Sequence, residues 1–233
     1  MIVHGHACGS VLQLAARLAD VDIHLRWGGP QVHGAINGGV HLLNGLEQLQ
    51  AFSTARVPHP HVLLPHETAA VNASIEMGSV LLGRRLEHTQ GRDIRPSNTP
   101  ATRHLRRWQD SDFYTTYVAA RSEWRFHILR RRDGTLTSIG RGRKVWVRQD
   151  DAPTTGVIVR SRRLGWHLAH NIDPPKGLRS AAKAAAEACH YDLAAVDVLE
   201  LQDGRACVLE CNSRPALRDD YTLSAYERAL RSY

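Results

Sequence analysis

Lysine is nearly missing from this chain: it occurs only at Lys144, Lys176 and Lys183, so almost all of the positive charge is arginine. Cysteine is also scarce. Four residues (Cys8, Cys189, Cys207, Cys211) are too few and too scattered for a disulfide framework in a chain of 233 residues. Cys207 and Cys211 have no matching pair elsewhere, which argues against a zinc site and for buried reduced thiols. No apolar run is long enough to cross a bilayer. The first ten residues lack the basic stretch and apolar segment of a signal peptide, so a cytoplasmic location and no membrane partner are expected. There is no internal repeat and no low-complexity tract. Aromatic residues make up only 6%, yet the hydrophobic share of 42% is that of an ordered globular protein. The length suits one domain or two closely packed subdomains.

What is present in excess is positive charge. Thirty Lys and Arg against 23 Asp and Glu leave a formal net charge of +7. Basic clusters fall at Arg103-His104-Leu105-Arg106-Arg107, Arg130-Arg131-Arg132, Arg141-Gly142-Arg143-Lys144 and Arg160-Ser161-Arg162-Arg163. Together they favour a polyanionic partner, whether nucleotide, nucleic acid or acidic peptide. Any one of them alone reads as a solvated surface.

Along the chain, a short strand at residues 2–4, a glycine-rich turn and a helix from Ser10 open an α/β unit. A second strand is expected over 21–27, stopped by Gly28-Gly29-Pro30, and a helix over about 39–54 with Leu42, Leu43, Leu46 and Leu49 on one face. Val57-Pro58-His59-Pro60-His61 is a stiff extended connector. Residues 66–75 are mixed in character. Strands follow at 80–86, within 110–118 and at 123–129, the last alternating cleanly and turned back at Asp133-Gly134 into 135–139, with 145–147 continuing the return. The alanine-rich stretch 179–190 is a helix after Pro174-Pro175. Strands at 194–201 and 205–211 are joined through Asp203-Gly204, and a closing helix covers 223–230.

The last hairpin carries chemistry. Glu210 and Asn212 are two apart, so on a strand they share a face. A carboxylate and an amide oxygen side by side are hard ligands suited to Mg²⁺ that also holds phosphates. Asp197, on the paired strand, can add a third oxygen. Equally, these could be the wet side of an ordinary hairpin.

Taken in order, these pieces resemble the ATP-grasp superfamily, in its compact phage-type and glutamate-ligase-like branch. The resemblance covers about residues 57–222. It rests on Arg84 on a strand, the loop His88-Thr89-Gln90-Gly91, the strand Glu123-Trp124-Arg125, and Asp197 followed by Glu210-Cys211-Asn212-Ser213-Arg214-Pro215. It implies an α+β fold in which two lobes clasp ATP, with a shortened α/β unit over 1–62, a first lobe over 63–118 and a second over 119–233.

The resemblance further implies an ATP- and Mg²⁺-dependent ligase that joins a carboxylate to an amine through an acyl-phosphate. Arg84 stands where the family uses a cation, usually lysine, on the phosphates, and a guanidinium can do this through forked hydrogen bonds. His88, Thr89 and Gly91 would lie over the phosphates in a loop poorer in glycine than is usual. Thr116, Tyr117 and Val118 resemble the hinge that meets adenine. Glu123 would lie near the ribose or metal, and Arg143 with Lys144 would reach the γ-phosphate. Asp197, Glu210 and Asn212 would hold Mg²⁺, while Arg125 and Arg214 would steady the acyl group. Trp27-Gly28-Gly29 and Asn37 resemble a substrate-side motif of the front unit. Two other readings stay open: a kinase-type phosphotransferase on the same clasp, and a non-catalytic basic module for nucleotide or nucleic acid. The charge is compatible with an acidic or nucleic-acid-linked substrate. The short front unit leaves room for a homodimer in which a second copy completes the site.

Overall fold

The computed structural model describes residues 1–6, 8–86, 94–97, 111–147 and 160–233. Strands β1 (Ile2–Gly5) and β2 (His24–Trp27) pair in parallel, with α1 (Gly9–Arg17) as the crossover between them. β2 starts three residues later than the alternation suggests, because the end of α1 turns tightly and the Val21 N–H donates back to the Leu18 carbonyl (3.0 Å). Arg26, almost wholly buried, donates to the carbonyls of Gly29, Asn37 and Val40 and so gathers the loop that follows β2. Asn37 is fully buried at φ +59°. Its amide donates to the Leu193 carbonyl (2.7 Å) and accepts from the N–H of Asp192 (2.7 Å) and Leu193 (3.0 Å). Such pairing of buried backbone groups ties the front unit to the rest of the chain.

Helix α2 (Gly45–Thr54) begins at Gly45 rather than near 39. The reason is a capping box: the Asn44 side chain accepts from the N–H of Leu46 and Glu47, and the Glu47 carboxylate accepts from the Asn44 N–H. After β3 (Val62–Leu63), α3 (Thr68–Glu76) is a helix where the sequence shows no clear period. It has no side-chain cap and buries only Val71. With β4 (Leu81–Arg84), β5 (Arg95–Pro96) and β6 (Phe113–Thr116) a four-stranded antiparallel sheet forms, ordered β3-β6-β4-β5.

The larger sheet contains β7 (Ser122–Arg130), β8 (Leu136–Trp146), β9 (Trp166–Ala169), β10 (Leu193–Glu200) and β11 (Ala206–Asn212), in the order β11-β10-β7-β8-β9. The Asp133-Gly134 turn and the Asp203-Gly204 turn reverse the chain where expected, and β8 runs unbroken through the two segments anticipated separately. β9 was not foreseen. Helices α4 (Leu178–Ala188) and α5 (Asp220–Arg231) complete the chain.

Alternation divides the larger sheet into two faces. Trp124, Phe126, Ile128, Val196 and Val198 pack with Ala182, Ala185 and Ala186 of α4 and with Leu49 and Phe52 of α2 in one buried cluster. The alanines let α4 lie close on the strands. At one end of the opposite face Leu129 and Leu193 are covered by Leu223, Tyr226 and Leu230 of the α5 region and by Leu14 of α1. The rest of that face, toward the first residues of β7, is polar and turns to the smaller sheet.

Candidate functional site

β7 places Glu123 and Arg125 on the polar face. The register sets Asp197 of β10 opposite Arg125, and Glu210 of β11 opposite Asp197. A register shift beside Asp197 keeps Glu210 and Asn212 on this face. Three strands therefore bring together residues that are up to 89 positions apart in the chain.

Arg125 grips Asp197 as a fork, Nε to Oδ1 and Nη2 to Oδ2, both at 2.7 Å. Lys144 Nζ donates to Glu123 and lies 3.3 Å from Oδ2 of Asp197. Two carboxylates and two cations thus form a closed, neutral group at the floor of the face. Asp197 and Glu123 are only 3% and 6% exposed, so their mutual compensation is what makes burial of four charges tolerable. Burial alone would raise the Asp197 pKa, but the Arg125 and Lys144 charges and hydrogen bonds outweigh it and hold the carboxyl well below its ordinary range. Burial likewise works against the charged forms of Arg125 and Lys144, and the carboxylates more than restore them. Glu123 goes the other way: burial, with Asp197 beside it, pushes its carboxyl up despite Lys144. Asn212 Nδ2 donates to Glu210 Oε1 at 2.7 Å.

Across from this group stands Arg84, which ends β4. It is 7% exposed, and its Nε is buried without a hydrogen-bond partner. Burial lowers its pKa, and the charge of Glu210 across the gap partly restores it. Between the two sheets runs a cleft lined by Leu82, Arg84, Tyr117, Val118, Glu123, Arg160, Leu199 and Leu209. The N–H groups of Thr116 and Tyr117 are spent on the carbonyls of His61 (3.0 Å) and Val80 (2.7 Å). Among the described residues Val118 is the one of these three whose N–H has no backbone partner.

The adjacent pair Arg143 and Lys144 is split, since neighbours on a strand point to opposite faces. Lys144 joins the buried group and Arg143 sits opposite Trp124, while both line a second cavity of about 500 Å³ near Trp146 and Trp166. Arg214, two residues beyond Asn212, reaches away from the tetrad to the loop after β2, where it lies against Gly28. Asn37 serves to join the front unit to β10. His88, Thr89 and Gly91 lie outside the described residues.

Several residues of the site were not singled out from sequence. Leu199 and Leu209 line the cleft and share its face with Asp197 and Glu210. Alternation from Asp197 would have pointed to the first. Arg160, noted only as part of a basic cluster, reaches the cleft and lies over the Trp166 ring at 5.3 Å. His170 packs on Gly142, where an added Cβ would stand 2.9 Å from the Leu168 Cβ and 3.0 Å from the His170 ring. One ring nitrogen faces the Arg141 carbonyl (2.6 Å) and the other faces Asp219 (3.1 Å). Burial lowers the His170 pKa but the Asp219 hydrogen bond raises it further, and the same contact helps hold Asp219 near about 2 against burial. His127, in contrast, is kept neutral by burial and by Arg125, its pKa pulled down to about 3.

Among the described residues no group of three or more His, Cys, Asp or Glu side chains is placed to hold a metal ion. The donors that remain open toward the cleft are Glu210 and Asn212, a set suited to Mg²⁺ shared with phosphates.

No protein-family model matches this sequence. No curated protein matches it either. Solved structures do match. The ATP-grasp ligase PsnB complexed with a minimal precursor superposes with a TM-score of 0.57 at 15% identity, covering 82% of this chain and 60% of that one. The D-Ala:D-Ser ligase VanG from Enterococcus faecalis gives 0.56 at 13% identity, with 82% and 61% covered. N5-carboxyaminoimidazole synthetase from Staphylococcus aureus complexed with ADP gives 0.58 at 12% identity, with 78% and 48% covered. This chain thus spans 60% of the length of PsnB in the first of these structures. The fold is similar to that of these ligase structures.

Proposed function

We propose that this ATP-grasp chain is an ATP- and Mg²⁺-dependent ligase that joins a carboxylate to an amine through an acyl-phosphate, releasing ADP. The observation that carries the reading is Arg84. A guanidinium buried between two sheets, with an orphaned Nε and Glu210 across the gap, is costly unless an anion enters to meet it. The complexes of similar structures with ADP, and of PsnB with Mg and ADP, support a nucleotide as that anion.

On this reading adenine enters between Leu199, Leu209 and Tyr117, with the Val118 N–H free to donate to its edge. Arg84 and Lys144 meet the phosphates, joined by His88, Thr89 and Gly91. Glu210 and Asn212 hold Mg²⁺, which when bound offsets phosphate charge. Arg125, rigid in its fork, presents its remaining N–H groups to the γ-phosphoryl and the substrate carboxylate. Arg214 lies toward the front unit, where the carboxylate and amine would be selected. Catalysis of this kind is chiefly positioning and electrostatic stabilisation. Residues 63–118 and 119–233 are the two lobes, and 1–62 the substrate-side unit. A structure of PsnB is complexed with a precursor peptide, and the net charge of +7 suits an acidic peptide as the carboxylate donor here.

The test is product analysis. The protein is incubated with Mg²⁺, ATP and panels of amines with acidic peptides or amino acids, and the mixture is read by mass spectrometry. Ligation yields ADP, phosphate and a product carrying a new amide. A stable phosphorylated product would instead mean a phosphotransferase, and ATP left intact throughout would mean a binding module.

A further inference from the structure

The second cavity, at about 500 Å³, has the volume of a ligand pocket. It lies at the end of the larger sheet where β7 and β9 begin and β8 and β10 end, and the ligation chemistry makes no use of it. Most of the charges around it are already matched. Asp173 accepts from Arg141, Lys144 is held by Glu123 and Asp197, and Arg121 stands 3.8 Å from Glu200. Arg143 and Arg160 are the two lining cations with no ion pair among the described residues. Both are half-buried, so the cavity carries an excess of two positive charges in a partly desolvated space, a setting that favours anionic groups.

Beside these cations stand two partly buried rings. Trp146 and Trp166 meet edge to face with centroids 5.6 Å apart, and the Arg160 guanidinium lies over Trp166 at 5.3 Å. Tryptophan and arginine together are the usual anchors of a protein interface. The same pair of residue types also suits nucleic acid, and Glu200 separates the two. Its side chain is 8% exposed. Oε2 accepts from Ser122 and from the Trp124 indole (3.1 Å), which fixes the carboxylate, while Oε1 has only the distant Arg121 as an ion-pair partner among the described residues. A phosphate brought into this space would face that fixed negative charge. A peptide would bring N–H groups to it as well as carboxylates to the arginines.

Resting on the ligase reading above, we infer that this cavity is where the acidic peptide docks. Its carboxylates meet Arg143 and Arg160, an apolar or aromatic side chain lies against Trp146 and Trp166, and a backbone N–H donates to Glu200. Arg160 also lines the nucleotide cleft, so the docked peptide and the nucleotide share a wall. Arg143, which strand parity removes from the tetrad, thereby becomes a specificity residue for the peptide.

The probe is a capped hexapeptide of alternating glutamate and phenylalanine. The same peptide with lysine for glutamate and a uridine hexanucleotide are the comparisons. Each is titrated by calorimetry into the unaltered chain, Arg143→Gln and Arg143→Lys, and ATP with Mg²⁺ is titrated into the same proteins. The glutamate peptide is expected to bind at least about tenfold more tightly than either comparison. Arg143→Gln should weaken it at least about tenfold, the scale of a lost hydrogen bond to a charged group, and Arg143→Lys should recover part, while ATP stays within about twofold. Peptide binding indifferent to Arg143, a preference for the oligonucleotide, or equal losses of peptide and ATP would each overturn the inference. ATP bound without peptide would overturn it and leave the ligase reading standing. Peptide bound without ATP would support the site and overturn the ligase reading instead.

If Arg143→Gln fails to fold, nuclear magnetic resonance of the unaltered chain decides. The indole N–H resonances of Trp146 and Trp166, assigned through Trp146→Phe and Trp166→Phe, are followed as the glutamate peptide is added. Both should shift while that of Trp27, in the front unit, stays still. Resonances unmoved by bound peptide would place it elsewhere and contradict the inference.

Discussion

Arg214 occupies the space that a side chain on Gly28 would need: a Cβ built on Gly28 would stand 2.3 Å from Cδ of Arg214. Gly28 also has φ +79°, a conformation that L side chains rarely adopt. Two segments far apart in sequence, the loop after β2 and the turn after β11, are thus fitted to each other. Gly28→Ala is expected to expel the Arg214 side chain and to cost about 1–3 kcal/mol through backbone strain. Calorimetric nucleotide binding should stay within about twofold, while any ligation activity falls at least about tenfold, since each 1.4 kcal/mol of lost transition-state contact is tenfold. Equal loss of both would show that Arg214 serves the nucleotide and not the substrate side.

Asn37 closes the buried N–H groups of Asp192 and Leu193. Asn37→Ala leaves these donors and the Leu193 carbonyl unsatisfied, at about 1–3 kcal/mol for each buried group. Chemical denaturation should show a loss of several kcal/mol, and Asn37→Asp, which keeps the acceptor, should recover part of it.

Arg84 is expected to trade stability for binding. Arg84→Met removes a buried cation that lacks an ion-pair partner among the described residues, so the ligand-free protein should melt at a higher temperature. The same variant should bind ATP at least about tenfold more weakly. Arg84→Lys should retain part of the affinity, since it keeps the charge but loses the fork. A melting temperature that falls in Arg84→Met would mean that the guanidinium is already compensated within the protein.

The His170–Asp219 contact ties the turn before α5 to β8, and Asp219 also caps α5 by accepting from the Thr222 N–H (2.7 Å). Because the folded state raises the His170 pKa, its contribution is complete below the ordinary imidazole value of about 6.5 and is lost as pH rises through the raised value. The Asp219 carboxyl is held at about 2, so its contribution is complete above the ordinary value of about 3.9 and is lost as pH falls from there through about 2. The stability lost in Asp219→Asn should therefore be greatest between about pH 4 and 6.5 and should shrink at alkaline pH. Denaturation at pH 5.5 and pH 9 checks this. A pH-independent difference would mean that only the cap matters.

Much of this site can be read from local pattern. Glu210 and Asn212 share a face because they alternate, and the two Asp-Gly turns set the β7–β8 and β10–β11 hairpins. The parity of a strand also separates Arg143 from Lys144, although their adjacency invites treating them as a pair. What could not be read is set by distant partners. The grip of Arg125 on Asp197 depends on the β7–β10 register, and the contact of His170 with Asp219 depends on how His170 lies on Gly142 of β8. Helix α3 was obscure because it carries neither a capping side chain nor an apolar stripe, and α2 began late because the Asn44–Glu47 box outweighs the leucines before it.

The account stands most directly on nucleotide binding in the cleft. Calorimetric titration of ATP with and without Mg²⁺ is the measurement, on the unaltered chain and on a variant combining Glu210→Ala and Asn212→Ala. The account predicts Mg²⁺-dependent binding that the double variant loses by at least about tenfold. Absence of ATP binding by the unaltered chain, or binding indifferent to Mg²⁺ and to both side chains, would contradict it.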